Sequence, residues 1–182
     1  MYKIVEMSHI LIKEYLTRNI NKKLTIIDAT TGMGNDTLFI SQNMNNKSKL
    51  YGYDIQTTAI LNTLDLLNKN SIQNITLFLD SHENINIPHI DLALFNLGYL
   101  PTQSKAITTK AITTLNTVKM LLSNNKSITI ILVIYPGHEE GLVESNLLED
   151  YVKTLPNNKY LISKYQNYNQ LNSPYILTIS NK

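Results

Sequence analysis

Cysteine is missing from all 182 residues, and arginine occurs once, at Arg18. Without cysteine there is no disulfide, no thiolate zinc site and no iron–sulfur cluster. Nucleophilic catalysis through cysteine is excluded as well. With a single arginine, bidentate clamps on phosphate or guanine are not the main recognition device. Any phosphate contact falls to lysine, polar side chains and backbone N–H groups. The longest apolar run, 128–134, has the length of a strand and is too short to span a membrane. The first 16 residues are interrupted by Lys3, Glu6, His9, Lys13 and Glu14. They lack the apolar stretch of a secretory signal, so the expected location is the cytoplasm. The four histidines, His9, His82, His89 and His138, have no paired ligand spacing, and no metal is expected.

The length suits one domain, taken as residues 1–182. Hydrophobic residues make up 43% of the chain, as in an ordinary globular protein. A net charge of +2 and a pI near 8.6 permit a nucleic-acid substrate without requiring one. Apolar spacing predicts a first amphipathic helix over 5–19, then strands over 24–28, 49–54, 75–79 and 91–95. Helices are predicted over 36–44 and 56–67 between them. The longest predicted helix, 104–122, takes Ser104 as its N-cap. A continuous apolar, β-branched run over 128–134 reads as a strand covered on both faces. A helix over 139–155 and two strands, 160–165 and 175–180, complete the chain. This alternation predicts an α/β fold: a seven-stranded, mostly parallel sheet with helices on both faces and an antiparallel edge hairpin.

The first strand–turn–helix carries the most chemistry. A strand ends at Asp28, a small-residue turn holds Gly32 and Gly34, and a helix starts near Asn35. Glycines there let backbone approach a ligand closely, at the carboxyl end of the strand and the start of a helix. A dinucleotide fingerprint would place a third glycine where Thr37 stands, and no Gly-Lys-Ser/Thr marks a phosphate loop. Asp28 and Asp36 bracket the turn. Two carboxylates repel a pyrophosphate but suit the ammonium of an amino-acid moiety. S-adenosyl-L-methionine matches that pattern, with an ammonium, a ribose and an adenine but no phosphate. Asp54 ends the second strand twenty residues after Gly34, where an acidic residue reaches ribose hydroxyls. Asp80, followed by Ser81 and His82, ends the third, where a carboxylate can accept from an adenine amino group. The alternative is structural: a tight turn at Gly32 and Gly34, a helix-start carboxylate at Asp36, and a packing role for His82.

The fourth strand runs into Asn96-Leu97-Gly98-Tyr99-Leu100-Pro101. The Asn96 amide suits a substrate amino group, and Tyr99 suits stacking on a flipped base. The turn is similar to the Asn-Pro-Pro-Tyr loop of amino-group methyltransferases; the alternative is an Asx-type turn. After the fifth strand, Tyr135-Pro136-Gly137-His138-Glu139 lies at the same sheet edge. Tyr135 and His138 there can line a substrate mouth, with His138 able to take a proton from an ammonium. Glu139 and Glu140 equally suit the first turn of the next helix.

Together these three segments and the Tyr135–His138 loop resemble a bacterial family of tRNA 5-aminomethyl-2-thiouridine methyltransferases, formerly labelled rRNA methylases. The resemblance covers nearly the whole chain and implies a Rossmann-like class I methyltransferase fold. It implies S-adenosyl-L-methionine held by Asp28, Gly32, Asn35, Asp36, Asp54, Gln56, Asp80 and His82, with Gly34 in the same turn. It also implies that Asn96, Tyr99, Tyr135 and His138 face the substrate, the primary amine of a wobble uridine in a tRNA anticodon loop. No membrane partner is expected, and a homodimer is left open. Departing from the family, Thr102-Gln103-Ser104-Lys105 follows the proline, so Lys105 supplies the local positive charge. Two other classes stay open: a methyltransferase for rRNA or a small amine, and a non-catalytic nucleotide-binding module.

Overall fold

The structure, a computed structural model, describes residues 3–98, 111–170 and 172–182. Helix α1 (Ile4–Arg18) opens with the Glu6 carboxylate accepting from the Lys3 backbone N–H, 2.9 Å away. Strand β1 (Thr25–Asp28) leads through the glycine turn into α2 (Asn35–Asn43). Strand β2 (Lys49–Asp54), helix α3 (Thr57–Lys69) and strand β3 (Ile75–Leu79) follow. A 3-10 turn, His82–Asn84, precedes β4 (Leu92–Asn96). Helix α4 is seen as Ala111–Asn124, before β5 (Thr129–Ile134). Helix α5 (Glu139–Thr154) and strands β6 (Tyr160–Gln166) and β7 (Tyr175–Asn181) complete it.

The seven strands form one sheet in the order β3-β2-β1-β4-β5-β7-β6. β1 to β5 pair in parallel, and β7 runs antiparallel between β5 and β6. The α/β fold and the antiparallel hairpin at the edge are therefore as the sequence predicts. Strand alternation splits the core into two layers. Ile27, Phe95, Ile130 and Leu132 meet Val118 and Leu121 of α4 and Leu148 of α5. On the opposite face Ile26, Leu94, Ile131 and Val133 meet Ile12 and Leu16 of α1 and Ile40 of α2. Helices α1 and α2 on one face and α4 and α5 on the other cover the centre of the sheet, which accounts for the continuous β-branched run of β5, whereas α3 leaves Leu61 and Leu64 exposed. No helix among the described residues is long and apolar enough to cross a membrane.

Two differences from the predicted elements have physical reasons. β4 starts one residue late, because Asp91 serves as an anchor. Its carboxylate accepts from the Thr25 N–H at 2.7 Å, and its carbonyl accepts from the Tyr15 hydroxyl at 2.9 Å. Asn96 thereby becomes the last strand residue, opposite Val133. The 3-10 turn forms because the Ser81 hydroxyl caps the Glu83 N–H, a local bond that apolar periodicity does not report. For the helix predicted over 104–122, the expected cap Ser104 and the start lie outside the described residues, as do Tyr99 and Lys105.

The chain turns from β1 outward to β2 and β3, then returns to β4 on the other side of β1. This reversal opens a crevice beyond the carboxyl ends of β1 and β4, the general ligand position in such sheets. The site lies there.

Candidate functional site

Gly32 and Gly34 both take left-handed backbone, with φ of 52° and 82°. A Cβ on Gly34 would stand 2.8 Å from the Thr63 Cα of α3, so the turn packs directly on that helix. Asp28 is fully buried. It accepts from the Thr37 hydroxyl at 2.5 Å and from the Thr30 N–H at 3.3 Å. Burial raises its pKa to about 7; the Asp36 and Asp54 charges add to this, and the bonds from Thr37 and Thr30 oppose it. Asp28 thus ties β1 to the first turn of α2. Both of its oxygens are engaged within the protein, so its place beside the turn is that of a buried anchor.

Asp54, half-buried at the end of β2, accepts from the Gly32 N–H at 2.9 Å and the Gln56 N–H at 3.0 Å. It locks the glycine turn against the start of α3. Asp80, exposed, accepts from the Ser81 N–H and the Asn84 side chain, each at 2.7 Å and both on Oδ1. His82 is buried with its ring edge-on to Phe95, at 5.6 Å between centroids. Burial lowers its pKa, opposed by a bond to the Ala29 backbone and by the Glu83 and Asp54 charges. Asn35 stands exposed at the start of α2.

On the other side of the crevice two long-range contacts converge on Asp36. Its Oδ2 accepts from the Asn96 Nδ2 at 2.9 Å, and its Oδ1 lies 2.6 Å from the His9 Nε2 of α1. Bonding to a carboxylate settles the Asn96 amide: the NH2 half faces Asp36 and the acceptor half faces elsewhere. The Asn96 backbone N–H is held by the Thr30 hydroxyl at 2.8 Å, so the β1 turn and β4 are clamped together. Tyr135 is half-buried next to this group. Burial pushes its pKa up to about 12, with the Asp36 charge contributing.

His138 does not enter as expected. It is the N-cap of α5, and its Nδ1 accepts from the Gly141 N–H at 3.0 Å. A ring nitrogen that accepts a backbone bond is committed to the cap. In this arrangement Nδ1 serves the helix start, not an ammonium. Glu139 and Glu140 occupy the exposed first turn of that helix, the position where negative charge is favoured. The structure therefore brings together Asp36, Asn96 and Tyr135, and separately Asp54, Gln56, Asp80 and His82 along the β2–β3 edge, so Asp36, expected among the cofactor residues, stands bonded to Asn96 and His9. Tyr99 lies outside the described residues. His9 was missed by sequence reasoning: it sits on a helix predicted for its apolar face alone, and 27 residues separate it from Asp36.

Three buried side-chain atoms along this edge, Thr31 Oγ1, Gln56 Oε1 and His82 Nε2, have no hydrogen-bond partner within the protein. Buried polar atoms are almost always paired, so three orphans flanking one crevice mark a polar ligand surface. They follow β1, β2 and β3 respectively, beside the backbone that Gly32 and Gly34 bring close. A ligand with several uncharged donors and acceptors fits that row, whereas the carboxylates nearby oppose a phosphate.

The comparisons with known proteins agree with this fold. The family model described as "Putative rRNA methylase" matches residues 50–181. The chain is 32% identical to an Arabidopsis thaliana protein named tRNA (mnm(5)s(2)U34)-methyltransferase, chloroplastic. That match runs over 190 residues and covers 96% of this chain and 68% of the relative. It is 29% identical to a solved structure described as a "putative rRNA-methylase" from Clostridium thermocellum. The TM-score is 0.89, with 100% of this chain and 99% of that one covered. A Streptococcus mutans "putative methyltransferase", solved in complex with SAH, is 30% identical, with a TM-score of 0.83 over 100% of this chain and 99% of that one. With a reversed parallel sheet, a glycine turn clamped by Asp54 and an amide–carboxylate pair at the switch point, the chain belongs to the Putative rRNA methylase family and is a methyltransferase of the class I fold.

Proposed function

We propose that this methyltransferase carries a methyl group from S-adenosyl-L-methionine to the primary amine of 5-aminomethyl-2-thiouridine at the wobble position of tRNA. S-adenosyl-L-methionine is the cofactor, and when bound it supplies an electrophilic methyl group on a sulfonium. The orphaned Thr31, Gln56 and His82 atoms and the Asp54 carboxylate fit its phosphate-free adenosyl portion. Gly32, Gly34 and Asn35 line its approach, Asp80 closes the β3 end, and Asp28 acts by shaping the turn.

The observation that carries the substrate reading is the Asp36–Asn96 pair, 2.9 Å apart at the carboxyl end of β4. With its NH2 held by Asp36, Asn96 offers Oδ1 to an N–H of the incoming amine. Holding that N–H directs the nitrogen lone pair along the line of attack, the alignment a direct displacement needs. Tyr135 walls the crevice and keeps water from the reacting atoms. Tyr99 serves as the stacking surface for the base, and His138 bounds the mouth while capping α5. The Arabidopsis relative's name supports tRNA as the substrate class. All described strands join one sheet, which supports reading 1–182 as one methyltransferase domain; we propose that it acts in the cytoplasm.

The test is incubation of the protein with labelled cofactor and tRNA bearing 5-aminomethyl-2-thiouridine, followed by nucleoside mass spectrometry. The expected product is the methylaminomethyl nucleoside. Label in rRNA or in a small amine, with none in tRNA, would replace this substrate with the one the family description names or with another amine.

A further inference from the structure

We infer that His9, on the first helix and far from the recognised motifs, is a positioning residue of the methyl-transfer site. It acts through Asp36 on the Asn96 amide. The inference rests on the proposed role of Asn96 toward an amine. Three observations support it beyond a chance surface pairing.

First, the contact is built from two points on one helical turn. Asp36 and Phe39 are three residues apart in α2 and so share a face. The His9 ring lies flat on Phe39, with centroids 3.9 Å apart and planes within 9°, while its Nε2 meets Asp36 Oδ1 at 2.6 Å. Stacking fixes the ring plane and the hydrogen bond fixes its rotation, so His9 presents one nitrogen to one oxygen.

Second, Asp36 is 7% exposed, and its two oxygens divide their bonds between His9 and Asn96. A carboxylate held only by Asn96 could rotate about its Cβ–Cγ bond and take the amide with it. Held on Oδ1, it leaves Oδ2 in one place, and the Asn96 amide is fixed in turn. A buried carboxylate also needs its bonds satisfied, so removing His9 leaves Asp36 free to seek another donor, including the substrate ammonium itself.

Third, the Asp36 charge reaches the substrate side, because it contributes to the raised Tyr135 pKa. The His9–Asp36–Asn96 chain therefore runs from the α2-facing side of α1 into the crevice. Sequence separations of 27 and 60 residues show that the fold, not a local motif, assembles it.

The test compares His9→Phe and His9→Gln with the wild-type chain. Gln keeps an N–H at nearly the reach of Nε2, whereas Phe keeps the stacking surface and loses the donor. Four quantities are read: melting temperature, calorimetric affinity for S-adenosylhomocysteine, kcat and KM on amine-bearing tRNA, and the NMR signal of the Asn96 side-chain amide. For His9→Phe we expect kcat to fall on the order of tenfold to a hundredfold, the scale of misplacing a reacting group. Cofactor affinity should stay within about twofold, because the adenosyl row is untouched. The Asn96 amide protons should shift and exchange faster with solvent. His9→Gln should recover most of kcat and the protected amide signal.

A fall in melting temperature with kcat and the Asn96 signal unchanged would make His9 a clasp between α1 and α2 and overturn the inference. Equal loss of kcat in both variants would overturn it too. The amide signal and cofactor affinity need no substrate. If the wild-type protein does not methylate the tRNA, the substrate reading fails while the His9–Asp36–Asn96 link is still decided by the NMR signal.

Discussion

The two sides of the crevice are built by different means. The side formed by β1, β2 and β3 is tied by short-range bonds from carboxylates to backbone: Asp28 to Thr30, Asp54 to Gln56, Asp80 to Ser81. A longer carboxylate clamp, Asp54 to the Gly32 N–H, joins the turn to the next strand end. The side formed by β4 and β5 depends on side chains meeting across distant segments: Asn96 with Asp36, Asp36 with His9, and the Asn96 N–H with Thr30. A surface made of backbone and glycine suits the methyl donor, whose recognition does not depend on the methyl acceptor. A surface made of converging side chains is the place where a fold acquires a particular substrate.

If the two sides are separable in function, substitutions should divide cleanly between them. The largest effect is expected for Asn96→Ala. Turnover should fall about a hundredfold, roughly 2.7 kcal/mol of transition-state stabilisation, with S-adenosylhomocysteine affinity unchanged by calorimetry. A matching loss of cofactor affinity would mean that the two sides are one unit. Next is Gly34→Ala. Its left-handed backbone costs about 1–2 kcal/mol with any Cβ, and contact with Thr63 adds to this. Thermal unfolding should show a melting temperature lowered by several degrees; an unchanged value would mean that the turn and α3 can separate freely.

Asp54→Ala should weaken S-adenosylhomocysteine about tenfold, near 1.4 kcal/mol, while kcat at saturating cofactor changes little. Equal affinity would remove Asp54 from the ligand side and leave it as a turn clamp. The smallest effect concerns a carboxyl outside both sides. Glu144 is buried between α5 and α4, where the Thr114 hydroxyl donates to it at 2.7 Å. Burial raises its pKa to about 7. A carboxyl with a raised folded pKa stabilises the fold below its unfolded pKa and loses that contribution as pH rises through the folded value. Stability should therefore decline between pH 5 and pH 8, and Glu144→Gln should flatten part of the decline. An identical pH dependence in the variant would assign the decline to Asp28, whose pKa is also raised to about 7.

The same contrast governs what could be read ahead of the structure. Strand limits at β2 and β3 follow directly from apolar residues bounded by polar ones, and the Gly32–Gly34 turn follows from its composition. The place of Asp54 at the end of β2 is legible from the strand pattern, whereas its bonds to the Gly32 and Gln56 N–H groups are not. Asp28 was read as a ligand because its position matches the motif, but its orientation depends on Thr37, which offers a hydroxyl one turn into α2. His138 was read as a base because its residue type suits that task, whereas the Gly141 N–H claims its Nδ1. His9 left no trace, because a polar residue on the border of an amphipathic helix looks like any solvated one.

By itself the sequence determined the layer order, the glycine turn and the chemical character of a phosphate-free ligand. Those properties depend on hydrophobic period, backbone freedom and charge, which act over a few residues. Only the tertiary structure decided which carboxylate faces inward, which histidine is a cap and which one reaches the Asn96 amide. Those outcomes depend on where α1, α2 and β4 come to rest against each other, and that is fixed by packing across the whole sheet.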